Sequence, residues 1–480
     1  PRDALSRWLR MTHPAILEAV GAVLLAIALL YYHLFHRLKS TPTHRLTSSV
    51  LWKPTHTNGF LPTIAPPPTN KLAAAEALLA ALPTLIKNGS VRTSCNSLPL
   101  LDLSALIDAC VTPIEAEILA ERCMVVYAFL SYAYLRATTP TSSYLPRTLA
   151  IPWHAAATIV GRAPSLDYVA TVLSNVHAPG GAGTATFSGL SDESYFYELH
   201  ARIERAAGPA VGAMAAACAC QSEQLSLPAL TSALEEIGSG VSAMAALLPR
   251  MTDGCDPLAF HSSIRQSLAS FSEPIVFEGV YEGGSARALR LKLGGASGAQ
   301  SAILPCVDAF LGIGHSGKHE LDEWSVDKGS LAHLPPPHRE LLAKLRVLAP
   351  GSASKIERRL EESKENLSKA ADQRLRDAHA SCITALTSFR KAHFALVREF
   401  IVQPAASEAA PETPPLTRRA LPKAESPVSP VTVAATTQQL VGTGGSALKG
   451  FLSGRLLDTA RAALGAESSP TKLRVSRSYP

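Results

Sequence analysis

Charged residues are scarce in this chain of 480 residues: only 18% are Asp, Glu, Lys or Arg, whereas 47% are apolar. A chain with this much apolar surface to bury is not a disordered or acidic-tail protein. Neither sign of charge predominates, since 45 Lys and Arg stand against 39 Asp and Glu and leave a formal charge of +6. That small, scattered excess does not provide the concentrated basic face of a nucleic-acid-binding protein.

Cysteine pairs with metal-binding spacing are missing as well. The eight cysteines contain no C-x-x-C pair and are spread along helical segments. A zinc site needs tighter clustering and a small secreted scaffold is far richer in cysteine, so we expect buried thiols in a reducing compartment. A phosphate-binding loop is also missing, because no Lys-Ser/Thr pair follows the glycine-rich turn at 294–299.

One apolar run lies near the beginning of the sequence, at residues 15–32. Its only charge is Glu18; three arginines precede it and two tyrosines end it. A run of this length is near the lower limit for a helix that crosses a bilayer. We expect a single-pass membrane anchor with the rest of the chain in the cytoplasm. The alternatives are a cleaved targeting segment, which leaves a soluble cytoplasmic protein, and a buried core helix.

The remaining pattern predicts a mainly α architecture. Alternating strand-like runs are nearly absent, apart from a short segment at Ile275–Val280. Helices are predicted at Ser165–Asn175 and Pro257–Phe271, together with a charged helix from Lys355 that runs into an apolar one. We predict five regions: an N-terminal segment (1–40), a linker (41–58), a small helical domain (59–150), a large helical domain (151–465) with a mobile loop (405–441), and a tail (466–480).

Two histidines fall on apolar helical faces. Around His393, apolar residues recur at three- and four-residue steps from Cys382 to Phe400, and His200 shares a face with Phe196. A histidine in such a position is usually a core residue. A haem iron, however, also takes one neutral imidazole from a helix that lines an apolar pocket. The pattern therefore permits a haem site without demonstrating one.

Arg265 is a third candidate, set in the helical stretch AFHSSIRQSLASF. A guanidinium beside Phe260 and Ile264 can receive a carboxylate through two parallel hydrogen bonds. The alternative is an ordinary structural ion pair.

The order of several motifs along the chain is more specific than any one of them. They are ALPTLIKNGSVR (81–92), LPRTLAIPW (145–153) leading to YVATVLSN (168–175), VFEGVYE (276–282), GGASGAQSAILPCVDAFLGI (294–313), LPPPHRELL (334–342) and LRDAHASCITALTSFRKAHFALVREFIVQPA (375–405), followed by GTGGSALKGFL (442–452). As an ordered set they resemble the indoleamine 2,3-dioxygenase family, haem enzymes that open the indole ring of tryptophan.

The resemblance implies roles for residues at matching positions. His393 is implied as the proximal ligand of a haem b iron, with an ion pair of Asp308 and Arg390 beside it. Catalytic candidates are His200 and Ser297, and Arg265 is implied to bind the substrate carboxylate. The other implied contacts are Gly298 and Ala299 over the distal haem face, and a substrate pocket of Phe196, Phe260, Tyr168, Thr171, Val172 and Thr443.

The same resemblance implies an enzyme that inserts dioxygen across the indole 2,3 double bond of L-tryptophan or a related indoleamine, giving N-formylkynurenine. It would need an electron donor to keep the iron ferrous. His200 departs from the vertebrate enzymes, which carry a small hydroxyl residue there, and is similar to the distal histidine of tryptophan 2,3-dioxygenases. Two rivals stay open: a haem protein that binds dioxygen or another indole without efficient tryptophan oxidation, and a haem-free membrane-anchored scaffold.

Overall fold

The computed structural model describes residues 49–138, 141–176, 184–219, 225–283, 285–314, 330–362, 368–409 and 448–463. Helices dominate these residues, which confirms the mainly α prediction. In chain order they are α1 (Ala73–Ala80), α2 (Leu82–Lys87), α3 (Val91–Asn96), α4 (Leu103–Asp108), α5 (Pro113–Arg136), α6 (Arg147–Val160), α7 (Ser191–Ala206), α8 (Gly208–Ala219), α9 (Leu227–Leu247), α10 (Pro257–Ala259), α11 (Arg265–Leu268), α12 (Ile303–Leu311), α13 (Pro336–Leu348), α14 (Ala353–Glu362), α15 (Lys369–Val397), α16 (Gln403–Ala409) and α17 (Leu448–Ala463).

A small sheet covers one side of the helices. Its strands are β1 (Tyr144–Leu145), β2 (Ile275–Tyr281) and β3 (Ala288–Leu291), with β1 parallel and β3 antiparallel to the central β2. The strand-like segment at Ile275–Val280 is thus confirmed, whereas the two partner strands are too short to leave an alternating pattern. Phe277 of β2 is buried and stacks on Trp153 of α6 at 5.8 Å between ring centroids, which holds the sheet against that helix.

Helix α5 runs through the core. It begins in a capping box, in which Thr112 and Glu115 exchange side-chain and backbone hydrogen bonds. Among the described residues it is the one helix long and apolar enough to cross a membrane, but 94% of its most apolar stretch is buried inside the protein. It is therefore a core helix, and the predicted N-terminal span at residues 15–32 lies outside the described residues.

A buried charge network ties the N-terminal part of the chain to the body. Arg162 donates to Asp167 at 2.7 Å and also to Glu121, whose other oxygen accepts from the indole N–H of Trp52. Although burial alone would raise the pKa of Asp167, Arg162 holds it below its usual value. Asp167 also accepts from the backbone N–H of Ala170 at 2.8 Å, so the network fixes the segment that follows it.

Two of the predicted domain boundaries fall within closely packed residues. Leu51 and Trp52 fall in the predicted linker at 41–58, yet both are buried in the hydrophobic core. The predicted domain boundary after residue 150 cuts through α6, and residues from both sides of it belong to one core cluster. Composition predicts a linker at 41–58 because threonine, serine and proline are frequent there, although the segment also carries a tryptophan and a leucine that are buried.

Three predicted helices differ in extent. The helix at Ser165–Asn175 shortens to a π-helical segment at Val169–Leu173, in which the backbone N–H of Ala170 donates to the side chain of Asp167. The helix at Pro257–Phe271 ends at Leu268. The charged helix from Lys355 is divided between α14 and α15, and α16 occupies the first residues of the predicted mobile loop, whose remainder lies outside the described residues.

The long helix α15 is placed by close packing against α9. A Cβ atom on Gly238 of α9 would lie 3.4 Å from the Cα atom of Cys382, so a small residue there lets the two helices approach closely. Helix α17 packs on α15 as well. These two contacts set the position of the segment that carries His393.

Candidate active site

Helix α7 carries two aromatic rings one turn apart on the side that faces the candidate site. Phe196 and His200 lie 4.3 Å apart between ring centroids, and Phe196 also lies 5.0 Å from Phe260. Phe260 in turn packs on Phe400 at 5.8 Å, beyond the end of α15. The structure therefore brings together the aromatic residues that the sequence placed around a substrate ring, with Phe400 as an addition.

The tautomer of His200 follows from its hydrogen bond. Its Nδ1 lies 2.8 Å from the backbone carbonyl oxygen of Phe196. A carbonyl oxygen only accepts hydrogen bonds, so Nδ1 carries the hydrogen. Burial lowers the pKa of His200, which keeps the imidazole neutral at pH 7. The remaining nitrogen, Nε2, is therefore an acceptor with a lone pair.

The π-helical segment Val169–Leu173 and Tyr168, the residue before it, form what we call the inner wall of the candidate site. The ring of Tyr168 meets that of His200 edge-on, 6.1 Å away between centroids. Thr171 and Val172 are both buried, and the Thr171 hydroxyl donates to the Asp167 carbonyl at 3.0 Å. The hydrogen of that hydroxyl is thus taken up by a hydrogen bond within its own segment.

The glycine-rich turn is joined to this inner wall through Gln300. Its Oε1 accepts from the backbone N–H of Tyr168 at 2.9 Å and from that of Ser297 at 3.2 Å. The Ser297 hydroxyl accepts from the N–H of Ala299, and a Cβ atom on Gly298 would meet no atom within 4 Å. The predicted distal turn therefore borders open space and is fixed to the Tyr168 segment.

His393 lies on the opposite helix, α15, half-buried beside Phe389, whose ring is nearly parallel to it at 6.4 Å. Burial, and to a smaller extent the nearby His200, lower the pKa of His393 to about 4. His393 is therefore neutral at pH 7, as an imidazole that ligates a metal must be.

An ion pair fixes α15 one turn before His393. Arg390 donates from Nη2 to both carboxylate oxygens of Asp308, at 2.7 and 2.6 Å, and both side chains are buried. Its Nη1 donates to the backbone carbonyl of Arg455 at 3.2 Å and to the hydroxyl of Thr459. One guanidinium thus joins α12, α15 and α17.

Arg265 begins α11, directly after the π-helical segment Phe260–Ile264. It is half-buried, and this burial lowers the pKa of its guanidinium. Thr443, the remaining pocket residue predicted from the sequence, lies outside the described residues.

Similarity to known protein families shows which family the chain belongs to. The family model described as indoleamine 2,3-dioxygenase matches residues 52–462. The chain belongs to the indoleamine 2,3-dioxygenase family.

Relatives in this dioxygenase family differ in what their names say they do. The chain is 28% identical to a 6-hydroxytryptophan 2,3-dioxygenase of Fusarium equiseti, over 72% of this chain and 83% of that one. It is 28% identical to indoleamine 2,3-dioxygenase 1 of Mus musculus, over 67% and 77%. It is also 27% identical to a myoglobin of Haliotis diversicolor, over 71% and 84%.

Among the described residues, three π-helical segments carry or adjoin the candidate site residues of this family member. Val169–Leu173 carries the inner wall, Phe260–Ile264 precedes Arg265, and Arg398–Val402 holds Phe400. Such wide turns are rare and are frequently found at functional sites. They leave no local signature in the sequence, so each was predicted as ordinary helix or missed.

Sequence reasoning also missed two buried polar residues behind the pocket, Glu204 and Gln300. Glu204 was one of several charges on α7, but it follows His200 by four residues. That spacing puts it on the same helical face as the apolar stripe, and it is the signal that would have singled it out.

Proposed function

We propose that this protein is a haem-dependent dioxygenase that inserts both atoms of dioxygen across the indole 2,3 double bond of L-tryptophan, giving N-formylkynurenine. The observation that carries the proposal is the pair of neutral imidazoles. His393 and His200 come from different helices and lie close enough for His200 to influence the pKa of His393, while Phe196 packs on His200 and Phe260 packs on Phe196.

The residues present fit a haem. In the part of the chain that the structure describes, no group of three His, Cys, Asp or Glu residues could hold a metal ion by itself. A single neutral imidazole on an apolar helix face is instead the donor set of an iron already carried by a porphyrin. We therefore assign His393 as the proximal ligand. When bound, haem would supply the ferrous iron at which dioxygen is activated.

His200 is suited to hold the indole of the substrate. Its Nε2 accepts hydrogen bonds, because Nδ1 carries the hydrogen that binds the Phe196 carbonyl. The indole N–H is a donor, so it matches Nε2, whereas dioxygen offers no hydrogen to it. We therefore assign His200 to orienting the indole rather than to donating a hydrogen bond to dioxygen.

Phe196, Phe260 and Arg265 complete the substrate site. The two phenyl rings offer apolar faces on which an indole packs, in the offset or tilted arrangements that aromatic pairs prefer. The guanidinium of Arg265 is half-buried, and a carboxylate bound there gains from the partial exclusion of water. The site thus matches an indole, an N–H group and a carboxylate in one ligand.

A direct assay tests this function. Purified protein with haem is reduced without oxygen, and L-tryptophan and air are then added in the presence of ascorbate and an electron mediator. We expect N-formylkynurenine, measured by its absorbance and mass. A haem-loaded, reduced protein that forms none would overturn the tryptophan dioxygenase assignment.

A second candidate function is a haem protein of the same fold that binds dioxygen or oxidises another indole. Two relatives favour it, since one is named a myoglobin and another a 6-hydroxytryptophan 2,3-dioxygenase. A half-buried arginine beside the aromatic wall speaks for an amino-acid ligand, because an oxygen carrier needs no carboxylate site. The same assay with 6-hydroxytryptophan, and a spectrum of the reduced protein in air without substrate, separate these outcomes.

A further inference from the structure

A buried carboxyl group lies directly behind the proposed substrate site. Glu204 is only 1% exposed and follows His200 by one turn of α7. The hydroxyl groups of Tyr168 and Ser301 donate to it. Its Oε2 atom has no hydrogen-bond partner among the described residues. Burying a carboxyl group so incompletely paired is costly, so its presence needs an explanation.

The other buried carboxylates in the described part of the chain are satisfied differently. Each receives a cation or a backbone N–H: Glu117 from Leu51, Glu121 and Asp167 from Arg162, Glu193 from Phe187 and Ser188, Asp308 from Arg390, and Asp458 from Arg461. Glu204 receives hydroxyl groups only. It is therefore built unlike the carboxylates that hold the fold together.

The two hydroxyl groups belong to the two parts of the distal pocket. Tyr168 begins the inner wall, with its ring edge-on to His200 and its backbone N–H on Gln300. Ser301 directly follows Gln300, which also binds the backbone of Ser297. Glu204 thus fastens the inner wall and the glycine-rich turn to the helix that carries His200.

We propose that Glu204 is a positioning residue of the distal pocket: as a carboxylate it draws Tyr168 and Ser301 onto the helix of His200 and so fixes the place where the indole binds. This inference rests on the proposed function, because it concerns the same substrate site. The ionised form does the fastening, since a hydroxyl group binds a carboxylate about twice as strongly as it binds a neutral acid.

The protonation of Glu204 changes near neutral pH. Burial raises its pKa to about 7, against the hydrogen bonds from Ser301 and Tyr168, which favour the ionised form. The ionisable groups facing it keep one state there: burial raises the pKa of Tyr168 well above its usual value and lowers that of His200. No charged side chain of the described residues contributes to its pKa. The fastening therefore strengthens as the pH rises through about 7.

The first arm of the test follows the enzyme kinetics of the haem-loaded protein across neutral pH. We expect the KM for tryptophan of the wild type to fall about five-fold as Glu204 ionises, with kcat nearly unchanged. In Glu204→Gln this pH dependence disappears, because the amide keeps the shape but cannot ionise. Glu198→Gln, on the same helix, is the matched control and keeps the wild-type profile. An unchanged profile in Glu204→Gln overturns the proposal.

The second arm does not depend on activity. Infrared spectroscopy of the wild type detects the carbonyl band of a protonated carboxylic acid, and Glu204→Gln identifies the band by its loss. We expect this band to disappear as the pH rises through about 7, and Tyr168→Phe to move that midpoint upward. A midpoint that Tyr168→Phe leaves in place overturns the pairing.

The two arms also separate the two proposals. If the wild type forms no product from tryptophan, calorimetric binding of tryptophan replaces KM in the first arm. Loss of binding together with a titrating band then contradicts the substrate and not the pairing. A band that does not titrate contradicts the role of Glu204 even in an active enzyme.

Discussion

The helices on the two sides of the proposed haem site are fixed in opposite ways. Helix α15, with His393, is held by a buried ion pair between Arg390 and Asp308. Helix α7, with His200, is joined to its surroundings through the hydroxyl groups that bind Glu204. The side assigned to hold the iron is thus fastened by a buried ion pair. The side assigned to hold the substrate is fastened by a carboxyl group whose pKa burial raises to about 7.

The largest effect is expected when the proximal imidazole is removed. His393→Ala should abolish the Soret absorption of bound haem, since no other described residue is assigned to hold the iron, while circular dichroism keeps its helical signal. His379→Ala lies on the same helix and serves as the control, which should retain haem. A normal Soret band in His393→Ala would refute the proximal assignment and leave the two helices without a functional difference.

Removing the charge that fixes α15 comes next. Arg390→Met should lower the free energy of unfolding by about 3–5 kcal/mol, because it leaves the Asp308 carboxylate buried without its cation. The control is Arg374→Met on the same helix, where the pair with Glu235 is exposed and screened by water, so its loss should change the stability much less. Urea unfolding measures both. Equal losses in the two variants would contradict the view that a buried charge fastens this side.

The smallest effect concerns His200. His200→Ala should weaken the use of tryptophan by about 1–3 kcal/mol in kcat/KM and leave the haem content unchanged, because one hydrogen bond to the indole is lost. Tryptophan methylated on the indole nitrogen has no N–H, so the wild type should discriminate against it and the variant should not. If the variant discriminates as strongly as the wild type, His200 does not hold the indole N–H.

The sequence predicted the parts of the site that depend on helical periodicity. His393 and His200 were found because apolar neighbours recur at helical steps around them, and the mainly α class follows from the same pattern. The resemblance then supplied Arg390 and Asp308, which no periodicity connects, since they lie 82 residues apart in sequence.

The remainder depends on tertiary contacts. In the sequence Gln300 looks like an ordinary turn residue, and only the structure shows that it accepts from the backbone N–H groups of Tyr168 and Ser297. Trp52 likewise falls in a predicted linker, and only the structure shows that Glu121 accepts its indole N–H. Glu204 had a signal in its spacing from His200, but its contacts with the hydroxyl groups of Tyr168 and Ser301 distinguish it from the other charges of α7. Sequence patterns thus predict the residues whose role follows from the periodicity of their own helix. They do not predict the residues whose role depends on contacts with a distant segment.

The π-helical turn before Arg265 has a consequence for the spacing of the substrate contacts. The backbone N–H of Arg265 binds the carbonyl of Phe260, five residues earlier. In a regular α-helix, residues five apart point about 140° away from each other around the axis. The wider turn cancels most of that angle, so the backbone places Arg265 closer to the side of Phe260 around the helix axis than a regular α-helix would. Removing a single residue from this turn would restore an ordinary helix and turn Arg265 away from that side, which would separate the residues assigned to bind the carboxylate and the indole.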